Sequence, residues 1–151
     1  MMDFIEVIYS PNAPKAIGPY SPCIKLGDFI YLSGQIPLNP ISNKVEFEDI
    51  ESQTKQVINN IRALLLEINL DLRHIVKTTI FMTDLSMFDK VNAIYQEYFT
   101  HPYPARSCVE VKALPKGSLI EIECMAIDTT RYENVNMNDL QGGCGGCKGC
   151  K

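Results

Sequence analysis

Apolar and polar residues alternate in short runs along much of this chain, and two longer stretches switch to a helical period. Residues 4–8 read as a short edge strand. Residues 23–26 and 29–34 flank Gly27-Asp28, which predicts a hairpin with glycine at the first central position of a type II′ turn. Pro37 and Pro40 end the second arm and open a loop. Ile50, Val57, Ile58, Ile61, Leu64, Leu65 and Ile68 then fall on one helical face, with Asp49 placed to cap its start. Residues 75–83 are rich in β-branched side chains and read as a strand. Ser86 is placed to cap a second helix, with Asp89 in a capping-box position and a stripe of Phe88, Val91, Tyr95, Tyr98 and Phe99. Two more strands, 106–111 and 119–127, are joined by a segment containing Pro115 and Gly117. The order β-β-β-α-β-α-β-β predicts an α+β fold: one mixed sheet with both helices on one face. No internal repeat is visible.

The 151 residues suit one domain with a full core, and 46% hydrophobic with 21% charged residues is an ordinary globular mixture. The net charge of −4 argues against the basic footprint of nucleic-acid binding. No apolar run approaches the ~18 residues of a membrane span. Asp3 and Glu6 near the start disfavour a secretory leader, so the cytoplasm is the expected location. The boundary is expected after Arg131: residues 1–131 form the domain, and 132–151 read as a flexible Gly/Cys-rich tail with too little apolar surface to order itself.

Cysteine placement refines this picture. Cys23, Cys108 and Cys124 sit in apolar segments, as small hydrophobes do. Cys144, Cys147 and Cys150 cluster in the tail, an arrangement unlike a disulfide framework. Their spacing suits zinc or an iron–sulfur cluster in part, but no fourth cysteine follows, and no metal is expected.

Side chains alternate across a strand, so parity sorts the last two strands. Ser107, Val109 and Val111 form one row; Arg106, Cys108 and Glu110 form the other. Ile120, Ile122, Cys124 and Ala126 form an apolar row opposite Leu119, Glu121, Glu123, Met125 and Ile127. If the apolar rows meet the helices, the free face gathers one arginine and three glutamates among Cys, Met, Leu and Ile. Such charges are either solvated on an open antiparallel face or part of a partner surface that orients a small anion and a water molecule. Parity alone does not separate Glu121 from Glu123. A hairpin joining the two strands would set Arg106 and Glu121 about four residues, or ~13 Å, apart. One small ligand could not touch both: either the register differs, or Arg106 of one subunit meets Glu121 of its neighbour, and the apolar residues on the helix-free face favour the second.

Five segments in order carry a resemblance: Ala16-Ile-Gly-Pro-Tyr20-Ser, Leu32-Ser33-Gly34-Gln35-Ile-Pro, Val91-Asn92-Ala, Pro104-Ala-Arg106-Ser-Cys108-Val-Glu-Val, and Leu114-Pro-Lys-Gly-Ser-Leu-Ile-Glu121-Ile-Glu. Together they resemble the RidA/YjgF family, collinearly over residues 8–128. The resemblance implies a chorismate-mutase-like homotrimer that hydrolyses reactive 2-imino acids, released by pyridoxal-phosphate enzymes, to 2-oxo acids and ammonia. It implies no cofactor. Arg106 matches the arginine that grips the substrate carboxylate, and Glu121 the glutamate that positions water. Tyr20, Ser33, Gly34, Asn92 and Cys108 match pocket positions. A guanidinium fork suits a carboxylate, and one carboxylate beside a polarised imine suits water delivery. Cys108 as a covalent nucleophile lacks a nearby histidine, since His74 and His101 both lie at element ends. A non-catalytic ligand-binding or regulatory trimer and an RNA-directed activity are the competing functions; the presence of both Arg106 and Glu121 favours the enzyme.

Overall fold

The computed structural model describes residues 4–133, and the Cys144, Cys147 and Cys150 cluster lies outside them. Six strands, β1 (Ile5–Ile8), β2 (Cys23–Leu26), β3 (Phe29–Gln35), β4 (Ile75–Met82), β5 (Ala105–Glu110) and β6 (Ile120–Ile127), form one sheet in the order β1-β2-β3-β6-β4-β5. Helices α1 (Ile50–Leu66) and α2 (Phe88–Tyr98) follow β3 and β4, and a short α3 (Thr130–Glu133) follows β6. The expected element order and the mixed sheet are present. The boundary expected after Arg131 falls inside α3, where the Tyr132 hydroxyl meets the Asp28 carboxylate at 3.2 Å and Arg73 forks onto Glu133 at 2.8 and 3.0 Å.

Local signals account for most element ends. Asp49 accepts from the Ser52 N–H at 2.7 Å and caps α1. At the β2–β3 turn φ is positive at Gly27 and not at Asp28, the pattern a type II′ turn needs. The expected Ser86 cap is corrected. A 3₁₀ turn over Leu85–Met87 precedes α2, Asp84 accepts from the Ser86 N–H at 2.8 Å, and α2 itself, with Met87 at its N-cap position, has no side-chain cap.

The larger correction is the neighbour of β5. No β5–β6 hairpin exists: β5 lies parallel to β4 at the sheet edge, and β6 is inserted between β3 and β4, antiparallel to both. The unit β4-α2-β5 is a parallel crossover, the kind of connection that adjacent parallel strands need.

Burial follows from this order. Ile30, Leu32, Ile80, Met82, Ile120, Ile122, Cys124 and Ala126 on the sheet meet Val57, Ile58, Ile61, Leu64, Leu65, Val91 and Tyr95 on the helices, all buried. Two buried amides fix the loops around this core. Gln53 accepts from the Leu119 N–H and donates to the Phe47 carbonyl, both at 2.8 Å. Asn60 donates to the carbonyls of Ile36 and Leu38 at 3.2 and 2.9 Å. Buried polar groups satisfied in this way rigidify what they touch. Here they hold the chain after β3 and the start of β6, which wall the site described next.

Candidate functional site

The β4–β6 and β4–β5 registers assign every site residue to a face. Arg106 pairs with Thr78 and Cys108 with Ile80, residues buried toward the helices. Glu121 pairs with Phe81 and Glu123 with Thr79, on the helix-free face. The expectation that Arg106, Cys108 and Glu110 share the free face with Glu121 and Glu123 is therefore corrected. On an edge strand beyond the core nothing compels the valines inward: Val109 is 42% exposed. Arg106 instead lies against α2, its guanidinium carbon 5.0 Å from the Tyr95 ring centre and 5.4 Å from that of Phe88. Glu110 accepts from the Leu85 N–H at 2.8 Å, a structural task before α2.

Glu121 occupies a seat made by a bulge. Leu32 pairs with Cys124 and Gln35 with Ile122, so three steps on β3 oppose two on β6, and Ser33-Gly34 absorb the extra residue. The Glu121 side chain lies over Gly34. A Cβ on Gly34 would come within 2.7 Å of the Glu121 carboxyl carbon, closer than real contacts allow. Ser33 is pinned in turn: its hydroxyl donates to the Ser21 carbonyl at 2.7 Å and its N–H to the Pro22 carbonyl at 3.0 Å. The Tyr20 hydroxyl accepts from the Ile17 N–H at 3.3 Å. Tyr20, Ser33, Gly34 and Glu121 line one open cavity of about 410 Å³, closed by Ile17, Ile36 and Pro115. Burial, and then the like charge of Glu123, raise the Glu121 pKa above the ordinary carboxylate value.

Asn92 and Arg106 line a different cavity of about 340 Å³ with Tyr95, Gln96, Tyr103 and Pro104. Cys108 lines neither. Its Sγ lies 3.7 Å from Met82 Sδ, and burial raises its pKa more than Arg106 lowers it, which keeps the thiol protonated. Glu123, which parity could not distinguish from Glu121, lines an adjoining depression of about 500 Å³ on the free face, with Lys77 and Thr79, that meets the Glu121 cavity at Ser33. Tyr95 was legible only as part of a core stripe; its place under Arg106 follows from the β4-α2-β5 crossover.

Thus the structure brings Tyr20, Ser33, Gly34 and Glu121 together, and Asn92 with Arg106, but leaves the two groups apart. Arg106 lies in register with Thr78, three positions from Phe81, the partner of Glu121, and β4 stands between β5 and β6. That is roughly 10 Å along the strands and roughly 10 Å across them, with the side chains on opposite faces. A half-buried carboxylate of raised proton affinity can take and return a proton; a guanidinium with a free edge can fork onto a carboxylate. Neither cavity alone offers both. Among the described residues no group of three or more His, Cys, Asp or Glu side chains could hold a metal ion, and no helix is long and apolar enough to cross a membrane.

Known proteins share this sequence and architecture. Residues 10–128 match the profile of the family described as endoribonuclease L-PSP. A RutC family protein of Pyrococcus abyssi is 50% identical over 121 residues, covering 80% of this chain and 95% of that protein. The crystal structure of YyfA from Yersinia pestis, a member of the conserved Rid family described as being of unknown function, is 51% identical with a TM-score of 0.79, covering 82% of this chain and 98% of that one. TdcF of E. coli, solved with bound serine, is 38% identical with a TM-score of 0.77, covering 81% and 98%. The chain belongs to the RidA/YjgF family.

Proposed function

We propose that this protein hydrolyses reactive 2-imino acids, and their enamine tautomers, to 2-oxo acids and ammonia in a homotrimer whose sites are shared between subunits. The observation that carries this reading is the division of Arg106 and Glu121 between two half-sites on opposite faces of one sheet. Each half is chemically suited to one end of the substrate, and only a second copy could supply the other.

In this reading Arg106 forks onto the substrate carboxylate and holds the imine carbon against the neighbour's Glu121 cavity. Glu121 takes a proton from a water molecule as its oxygen bonds to the imine carbon. That proton passes to nitrogen to give a carbinolamine; Glu121 then takes the carbinolamine hydroxyl proton and delivers it to nitrogen as the C–N bond breaks, so that ammonia leaves and the carbonyl forms. Water is the only co-reactant, and the substrate is already electrophilic, so positioning supplies much of the rate. Tyr20 and Ser33 shape the Glu121 cavity, and Asn92 shapes the Arg106 cavity.

The free face supports association. Ile5, Leu26 and Phe29 lie in one cross-strand row, and Val7 and Tyr31 in the next, all exposed in the single chain. An apolar sheet face of this kind calls for a cover, and symmetric self-association provides one. TdcF with bound serine shows that a relative accommodates a small 2-amino acid. The net charge of −4 disfavours the RNA-directed activity in the family's description.

A coupled assay tests the proposal. Threonine dehydratase generates the imine, and its decay is followed with and without this protein. Faster decay, with matched release of 2-oxo acid and ammonia, is the expected result; identical decay curves would refute the activity.

A further inference from the structure

Arg106 sits on an edge strand, is exposed, and has no carboxylate partner among the described ion pairs. A long cation in such a place samples many rotamers, and a two-point fork demands one. The groups that restrict it are aromatic. Tyr95 lies 5.0 Å and Phe88 5.4 Å from the guanidinium carbon; Phe88 is the first residue of α2 and Tyr95 stands about two turns further along it.

Tyr95 is itself fixed from two sides. Its ring stacks on Phe99 with centres 4.1 Å apart and planes 18° apart, and its hydroxyl shares a buried 3.0 Å hydrogen bond with the Thr78 hydroxyl. Thr78 stands directly beside Arg106 in the β4–β5 register. Thr78, Tyr95 and Arg106 therefore form one connected unit: β4 holds the tyrosine, and the tyrosine holds the arginine. Burial raises the Tyr95 phenol pKa against the pull of Thr78 and Arg106, so the ring stays neutral.

We propose that Tyr95, anchored by Thr78 and assisted by Phe88, is a positioning residue that fixes the guanidinium plane of Arg106 for bidentate capture of the substrate carboxylate. Both rings lie within 5.4 Å of the guanidinium carbon, and no carboxylate among the described ion pairs occupies its N–H groups, which are left for the ligand. This rests on Arg106 being the carboxylate clamp of the proposed reaction. It also accounts for the tyrosine: a phenylalanine would present the same ring without the tie to β4.

Two readouts separate a positioning role from simple packing. The first needs no substrate. In a proton–nitrogen NMR spectrum the Arg106 side-chain N–H, assigned by its loss in Arg106→Lys, is displaced by the ring current of Tyr95. Tyr95→Phe should keep that displacement and Tyr95→Leu should abolish it. The second is titration with pyruvate, the simplest 2-oxo acid product. Tyr95→Leu should weaken binding and raise KM by about ten-fold with little change in kcat, the size expected for losing a partly desolvated cation–π contact. Tyr95→Phe and Thr78→Val should each cost about two- to three-fold, the loss of one neutral hydrogen bond. If Tyr95→Leu does not fold, Phe88→Leu on the half-buried side replaces it, with the same direction in both readouts. An undisplaced Arg106 resonance in the wild type, or unchanged pyruvate binding once a shelf ring is removed, overturns the proposal. A displaced resonance in a wild-type protein that binds no pyruvate and clears no imine would instead leave the shelf standing and remove the deaminase reading.

Discussion

The Glu121 and Arg106 half-sites are built by opposite means. Glu121 rises from a central strand and is seated chiefly by backbone: the bulge at Ser33-Gly34 places a residue without a Cβ beneath it, and the side-chain amides of Asn60 and Gln53 tie down the adjoining loops. Arg106 rises from an edge strand and is seated by side chains, with two aromatic rings doing what the sheet does for Glu121. A carboxylate that must carry a proton benefits from a half-buried, desolvated seat. A guanidinium that must meet an incoming anion benefits from an exposed edge and a covered face. If the proposed shared site holds, it draws its rigidity from two unlike sources, and each source should fail under a different mutation.

The largest effect should come from the half held by side chains. Arg106→Ala should lower kcat/KM by at least about a hundred-fold, and Arg106→Lys should recover little, because a point charge does not reproduce the fork. Near-normal turnover by the lysine variant would break the clamp assignment. Subunit exchange then asks whether the halves cooperate across an interface. In random mixed trimers of inactive Arg106→Ala and Glu121→Ala chains, about a quarter of the shared sites would be intact, which predicts about a quarter of wild-type activity. No recovery in proven mixed trimers would mean that the halves belong to one chain.

The same contrast explains what the sequence revealed. Helix α1, its Asp49 cap, the β2–β3 hairpin and the two faces of β6 were legible because each is decided locally or by burial on one side. Parity on β5 was not, since at an edge strand the apolar Val109 has no core to enter. The available signal was the helix between 75–83 and 106–111. A strand–helix–strand order suits a parallel pairing, since adjacent parallel strands need such a crossover, and the observed pairing turns Arg106 toward α2. The separation of Arg106 from Glu121 was expected from a hairpin register that does not exist; the observed register separates them by a different route. The bulge at Gly34 had no local signature beyond the glycine itself, and the Tyr95 shelf looked like any apolar stripe. Both depend on which strands become neighbours.

Gly34→Ala probes the half held by backbone. The new Cβ would meet the far end of the Glu121 side chain, which can swing away, so the fold should tolerate the change while the carboxylate loses its place. Activity should fall by about ten- to a hundred-fold, with Tm within about 2 °C of wild type. A full-rate Gly34→Ala enzyme would show that the seat is unimportant. Glu121→Gln should be equally inactive yet more stable at neutral pH. Because burial raises the folded-state pKa of Glu121 above the unfolded ~4.3, its charge costs stability as pH climbs through the folded value. The glutamine variant should gain about 1–3 °C in Tm at neutral pH, and the gain should vanish below about pH 4. Equal melting temperatures at both pH values would show that the seat is not desolvated.

The smallest effect belongs to Glu123, two residues further along β6 on the same face but exposed. It adds to the burial that raises the Glu121 pKa, and it does so through solvent, lining its own depression rather than the Glu121 cavity. If Glu121 works as the base, activity falls on the acid side as pH drops through its raised pKa. Glu123→Gln removes the like charge, so the acid limb of kcat should move to lower pH while the plateau rate stays within about two-fold. Salt should imitate the mutation. Raising ionic strength shortens the reach of an exposed charge, so the wild-type limb should drift toward the variant's and the variant's own limb should barely move. A limb that shifts upward, or a plateau lost along with Glu123, would mean that Glu123 touches the reaction directly. In that case the two cavities on the sheet would have to be read as one.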